Sequence, residues 1–118
     1  MTSQELGQRG EAAAARYYQK QGYRLLDHNF RTRMGELDLV LLKDQQLVIA
    51  EVKTRTSFYG GLPCEAVGPA KQKRLLLAAG SYLQQSPYRE LPVRFDVVEV
   101  IPVSGGWQVH CIPDAFQA

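Results

Sequence analysis

Asp38, Glu51 and Lys53 are charged residues in two short stretches that otherwise read as covered strands. The first stretch runs Glu36-Leu37-Asp38-Leu39-Val40-Leu41-Leu42-Lys43 and the second Leu47-Val48-Ile49-Ala50-Glu51-Val52-Lys53. Side chains alternate along a strand, so Glu36, Asp38, Val40 and Leu42 share one face while Leu37, Leu39 and Leu41 take the other. In the second stretch Leu47, Ile49, Glu51 and Lys53 point one way and Val48, Ala50 and Val52 the other. If Asp44-Gln45 is a two-residue hairpin turn, Lys43 pairs with Gln46, and the ladder sets Asp38 opposite Glu51 and Glu36 opposite Lys53. A four-residue loop keeps that parity; an unbulged three-residue loop breaks it.

Facing carboxylates on covered strands repel, and one must take up a proton unless a cation lies between them. Oxygen ligands of this kind suit a hard ion such as Mg²⁺ or Mn²⁺, which keeps several waters and leaves room for a phosphate oxygen. Lys53, on the same face, is placed to orient an attacking water or to neutralise charge building on a phosphate. The residues alone allow a second reading, a salt-bridged polar patch where strands emerge from the core. Glu36, one step beyond Asp38 on the same face, takes a supporting role, paired with Lys53.

These residues carry a resemblance. Asp38, thirteen positions before Glu51-Val52-Lys53, resembles the PD-(D/E)xK signature of the restriction-endonuclease-like superfamily, with Gly35-Glu36-Leu37-Asp38 where the looser "PD" element lies. The spacing, the hairpin and an upstream helical Glu are similar to those of archaeal Holliday-junction resolvases. The whole chain is closer still to the YraN-type family (UPF0102) of small bacterial proteins. Its blocks are matched by Arg9-Gly10-Glu11-Ala12-Ala13, Asn29-Phe30-Arg31, Gly35-Glu36-Leu37-Asp38-Leu39, Glu51-Val52-Lys53-Thr54-Arg55, Glu65-Ala66-Val67 and Arg94-Phe95-Asp96-Val97. An ExK tripeptide alone carries little weight, but this ordered set spans nearly the whole chain.

The resemblance implies a metal-dependent nuclease acting on DNA in preference to RNA, with branched, nicked and single-stranded substrates all open and repair or recombination as the setting. In the implied site Asp38 and Glu51 hold Mg²⁺ or Mn²⁺ with the backbone carbonyl of Val52, Lys53 positions the attacking water, and Glu11 binds through a water or completes a second metal site. A homodimer follows by analogy with resolvases that act on two-fold junctions. The rival reading is a nucleic-acid-binding module that keeps the fold and cuts nothing.

The elements that must position these residues follow from periodicity. Thr2 followed by Glu5 is a capping-box pattern, opening a helix over roughly 3–21 that ends at Gly22. Its apolar stripe is Leu6, Gly10, Ala13 and Tyr17, widened by Ala14 and Tyr18. Glu11 sits beside Gly7, Ala14, Ala15 and Tyr18, small enough neighbours to let the helix lie on a sheet; a solvated Glu is the plainer reading. A first strand covers Tyr23 to about Phe30, and a turn at Thr32-Arg33-Met34-Gly35 leads into the hairpin. Thr54 to Pro63 reads as a loop. Pro69 opens a second helix over roughly 69–85, with Leu75, Leu76, Ala79, Tyr82 and Leu83 buried. A fourth strand spans Val93 to Ile101, Gly105-Gly106 makes a hairpin turn, and a fifth strand spans Trp107 to Ile112.

The order α-β-β-β-α-β-β predicts an antiparallel meander joined to a parallel neighbour by a helical crossover. The expected fold is a restriction-endonuclease-like, three-layer α/β/α core with a mixed five-stranded sheet in the order 1-2-3-4-5. Lys71, Lys73 and Arg74 cluster where the second helix begins and Arg31, Arg33 and Arg55 flank the hairpin, positions suited to phosphate contacts. Asp96 reads as the salt-bridge mate of Arg94. His28 and His110 lack ligand spacing.

At 118 residues and 45% hydrophobic content the chain suffices for one compact domain, 1–118, and its net charge of +2 is too small to identify a nucleic-acid partner. No segment approaches the roughly 18 apolar residues of a membrane span, and the N-terminus lacks a basic stretch followed by an apolar run, so a cytoplasmic protein without membrane contact is expected. Cys64 and Cys111 fall in no CxxC pair, which argues against structural zinc.

Overall fold

The structure, a computed structural model, describes residues 2–55 and 67–117. The elements run α1 (Ser3–Lys20), β1 (Arg24–Arg31), β2 (Glu36–Lys43), β3 (Gln46–Thr54), α2 (Pro69–Gln84), β4 (Val93–Val103) and β5 (Gly106–Phe116). The loop expected over 54–63 lies, beyond Arg55, outside the described residues, as does Cys64. The strands form one sheet in the order β1-β2-β3-β4-β5. Only β3 and β4 are parallel, and α2 is the crossover between them.

The sheet is covered on both faces. Ala14, Ala15 and Tyr18 of α1 pack over Leu39, Leu41, Val48, Ala50 and Val98. Leu75, Ala78 and Ala79 of α2 pack over Val40, Leu47, Ile49, Phe95 and Val97. This is why β3 and the middle of β4 are apolar on both sides rather than alternating. Leu37 departs from its expected partners Leu39 and Leu41 and packs on the α2 side. Its cross-strand partner Phe30 packs on the same side, and Asn29, between the pairs His28–Leu39 and Phe30–Leu37, has a left-handed φ of 52°. Asp44 and Gln45 are also left-handed, and Lys43 pairs with Gln46, so the first hairpin has the two-residue turn that the parity argument requires. The second hairpin is shifted by one residue from expectation. Val103 pairs with Gly106, so Ser104-Gly105 makes the turn, with Gly105 at φ 83° supplying the left-handed residue.

Two contacts fix α1, and therefore Glu11, on the sheet. Thr2 Oγ1 caps the helix by accepting the Glu5 N–H at 3.1 Å. The buried stripe is Gly10, Ala13, Ala14, Ala15 and Tyr18, whereas Leu6 and Tyr17 are only partly covered. The inner position at Gly10 must be small because the helix lies there against Thr54 and Val100, whereas Tyr18, further along, is buried whole. Further along, the Tyr18 hydroxyl donates to Asp96 Oδ2 at 2.7 Å, and Arg94 donates to both Asp96 oxygens at 2.8 Å. Asp114 N–H completes the set at 3.0 Å from Oδ1. Asp96 is fully buried and fully partnered, so the expected Arg94 salt bridge is one part of a network tying α1, β4 and β5 together.

A Cβ at Gly10 would fall on Thr54 Oγ1 and 2.9 Å from Val100 Cγ2, while one at Gly7 would meet nothing within 4 Å. Alanine gains about 1 kcal/mol over glycine in a helix interior, and overpacking costs about 1–3 kcal/mol. Gly7→Ala should therefore raise the urea midpoint and Gly10→Ala should lower it. Equal shifts in the two variants would show that α1 does not seat on Thr54 and Val100.

Candidate metal centre and catalytic cluster

The hairpin ladder runs from Lys43–Gln46 to Leu39–Ala50 and stops there. One step further would oppose Asp38 to Glu51. In place of a backbone pair, Asp38 Oδ2 accepts the Val52 N–H at 2.8 Å. The strands part where the carboxylates begin, and a side chain satisfies the backbone group left over. Asp38 and Glu51 still converge. Burial, then the Glu51 charge, push the Asp38 carboxyl up to about 8 despite the pull of the Val52 N–H.

Glu51 is 5% exposed and draws two ammonium groups to one oxygen. Lys71 Nζ lies 2.6 Å from Glu51 Oε1, and Lys53 Nζ lies 3.7 Å from the same atom. The Lys53 ammonium is lowered by burial and by neighbouring Lys71. Burial alone would lower Lys71 too, but its hydrogen bonds to Glu51 and Lys53 and the charges of Glu51 and Asp38 leave it raised. Of two competing cations, Lys71 holds the carboxylate and Lys53 is the one disposed to give up its proton.

Glu11 is half-buried at the rim of a groove between α1 and β1, lined also by Ala15, Arg16, Leu25, His28 and Asn29. Its carboxyl is raised by burial, eased by a hydrogen bond from Asn29, and raised again by the charges of Glu36 and Glu51. Glu11 thus feels the cluster electrostatically. Among the described residues, however, no three His, Cys, Asp or Glu side chains converge tightly enough to hold a metal ion together.

Glu36 does not meet Lys53. It pairs across β1–β2 with Arg31, Nε to Oε2 3.7 Å, with the arginine side chain 79% exposed. The reason is the early end of the β2–β3 ladder, which leaves Glu36 beside β1 alone. Such a pair is worth at most about 1 kcal/mol. Arg55 lies 2.8 Å from buried Glu99 Oε2, an ion pair by distance, although that oxygen makes no hydrogen bond among the described residues. Arg31, Arg33, Lys73 and Arg74 are exposed. Gly35 rests on the α2 backbone at Arg74, where a Cβ would come 3.2 Å from the carbonyl oxygen, so the turn bearing Arg33 lies against the helix bearing Lys73 and Arg74.

Two charged residues of the cluster, Glu99 and Lys71, take partners that the local pattern does not announce. Glu99 pairs in register with Lys53 and interrupts the buried run Val97-Val98-Glu99-Val100-Ile101. A charge inside an apolar strand was the available signal. Lys71, expected with Lys73 and Arg74 to contact phosphate, instead approaches Glu51, and that approach depends on where α2 docks, which no local pattern reports.

A family model described as "Uncharacterised protein family UPF0102" matches residues 10–100. A UPF0102 protein of Syntrophomonas wolfei is 46% identical over 114 residues, covering 97% of this chain and 99% of the relative. One from Alkaliphilus metalliredigens is 41% identical with the same coverage. One from Clavibacter michiganensis is 47% identical over 103 residues, 87% of each chain.

Proposed function

This chain belongs to the uncharacterised protein family UPF0102, and from its paired carboxylates we propose that it is a metal-dependent nuclease that hydrolyses DNA phosphodiester bonds. The observation that carries the proposal is the convergence of Asp38 and Glu51 beside Lys53 at the place where β2 and β3 part. A fold gains nothing in stability from crowding two carboxylates there. Sites built for chemistry commonly carry such a penalty.

The donor set fits Mg²⁺ or Mn²⁺. Two carboxylates, with the Val52 carbonyl, are too few to cage an ion but suffice for one that keeps waters and takes substrate oxygens. An ion bound there would act as a Lewis acid toward a phosphate oxygen and make a nucleophile available from water. Lys53, its proton loosened by burial and by Lys71, would accept a proton from the attacking water or, charged, face the developing phosphate charge. Glu11 would orient water from the α1 side. Exposed Arg33, Lys73 and Arg74 would take flanking phosphates, which position a strand without reading its sequence. The choice of DNA rests on the likeness to resolvases.

One observation favours a second reading, a binding module that does not cut: Lys71 already neutralises Glu51, as a purely structural ion pair would. Incubation with branched, duplex and single-stranded DNAs, with Mn²⁺ or with EDTA, separates the two. Cleavage of at least one DNA in Mn²⁺ and none in EDTA is expected. Binding without cleavage of any member would replace the nuclease by the binding module.

A further inference from the structure

We propose that Lys71 is the resident counter-cation of the Asp38–Glu51 pair, seated on Glu51 when no divalent ion is bound and released toward a substrate phosphate when one binds. The inference rests on the reading of that pair as a metal site. The two lysines differ in their approach to Glu51. Lys53 belongs to β3 together with Glu51, yet its ammonium stands 3.7 Å from Glu51 Oε1, whereas Lys71, from α2, reaches 2.6 Å. The closer cation comes from a different element, at the end of a flexible four-carbon stem, and its side chain is 33% exposed.

Lys71 is also in an unfavourable place for a lysine. It lies in the first turn of α2, which has Pro69 at its start, no side-chain cap and no acidic residue. The N-terminal turn of a helix carries partial positive charge and favours Asp or Glu. The helix does not hold the ammonium there; Glu51 does. A divalent ion bound to a carboxylate oxygen sits about 2.0–2.1 Å from it, so the ion and the Lys71 ammonium would compete for Glu51 Oε1 and repel each other at close range. One must leave. Lys71, its side chain one-third exposed, can do so by a change of rotamer that turns the charge toward solvent, where a phosphate held by the ion would lie. Ion and substrate then bind cooperatively, because the phosphate gives the displaced ammonium a new partner.

The test follows Mn²⁺ binding by calorimetry in wild type, Lys71→Met and Lys71→Arg, together with the rate of Lys71 acylation in wild type, read by mass spectrometry with and without saturating Mn²⁺. Removing one competing charge should tighten Mn²⁺ about tenfold in Lys71→Met. Lys71→Arg should stay near wild type, and Lys71 should acylate several-fold faster with Mn²⁺ than in EDTA. If wild type binds Mn²⁺ and Lys71→Met binds no more tightly, the counter-cation role is wrong while the metal site stands. If neither protein binds Mn²⁺, both are wrong. Should Lys71→Met fail to fold, the acylation comparison decides, since an unchanged rate on saturation means that Lys71 is not displaced.

Discussion

Lys53→Ala is expected to lower Mn²⁺-dependent cleavage of the preferred DNA by about 10²–10³-fold, the usual effect of removing one group aimed at charge that develops in the transition state. Metal affinity should hold or improve. An ammonium offers no lone pair to a hard cation, and its removal relieves one repulsion near the carboxylates. The prediction follows from Lys53 lying beside Glu51 without being its closest partner, and from an ammonium already lowered by burial and by Lys71. Rates and Mn²⁺ affinity measured on the same preparation check it. Wild-type cleavage by Lys53→Ala would remove Lys53 from the chemistry.

Asp38→Asn should remove most of the metal-dependent gain in stability. A ligand that binds only the folded state at a hundred times its dissociation constant adds about 2.7 kcal/mol. With one of the two carboxylates gone, most of that gain disappears. The pH dependence in EDTA gives a second readout. The folded Asp38 carboxyl is pushed up to about 8 from 3.8, so between those values the folded state holds a proton that the unfolded chain has released. By linkage, this group's contribution is fully present near pH 4 and is lost as pH rises toward 8. Asp38→Asn should flatten that fall and be the more stable protein near pH 8. Equal Mn²⁺-dependent shifts in both proteins would rule Asp38 out as a ligand.

Much of the frame was legible from local pattern. Period-two alternation narrowed the first hairpin to loops that keep parity, and the structure takes the two-residue turn at Asp44-Gln45 with Lys43 paired to Gln46. Both helices began where Thr2 and Pro69 predicted, because capping chemistry is written in a few adjacent residues. What was not legible depends on how elements meet. The β2–β3 ladder ends early, so Glu36 pairs with Arg31 across β1–β2 rather than with Lys53. Arg55 finds Glu99 through the parallel pairing of β3 with β4, and Lys71 finds Glu51 through the docking of α2. Each of these is a charged side chain whose partner is distant in sequence. The carboxylate pair was anticipated because its two strands are joined by a short turn. Its ammonium partner was not, because a crossover separates them.

Whether Asp38 and Glu51 form a cation site is decided by anomalous diffraction from crystals grown with Mn²⁺. A manganese peak is expected between the Asp38 and Glu51 carboxylates, within ligand distance of the Val52 carbonyl, with the Lys71 ammonium withdrawn from Glu51 Oε1. Crystals saturated with Mn²⁺ that show no peak there, and Lys71 still seated on Glu51, would mean that the two carboxylates are not a metal site.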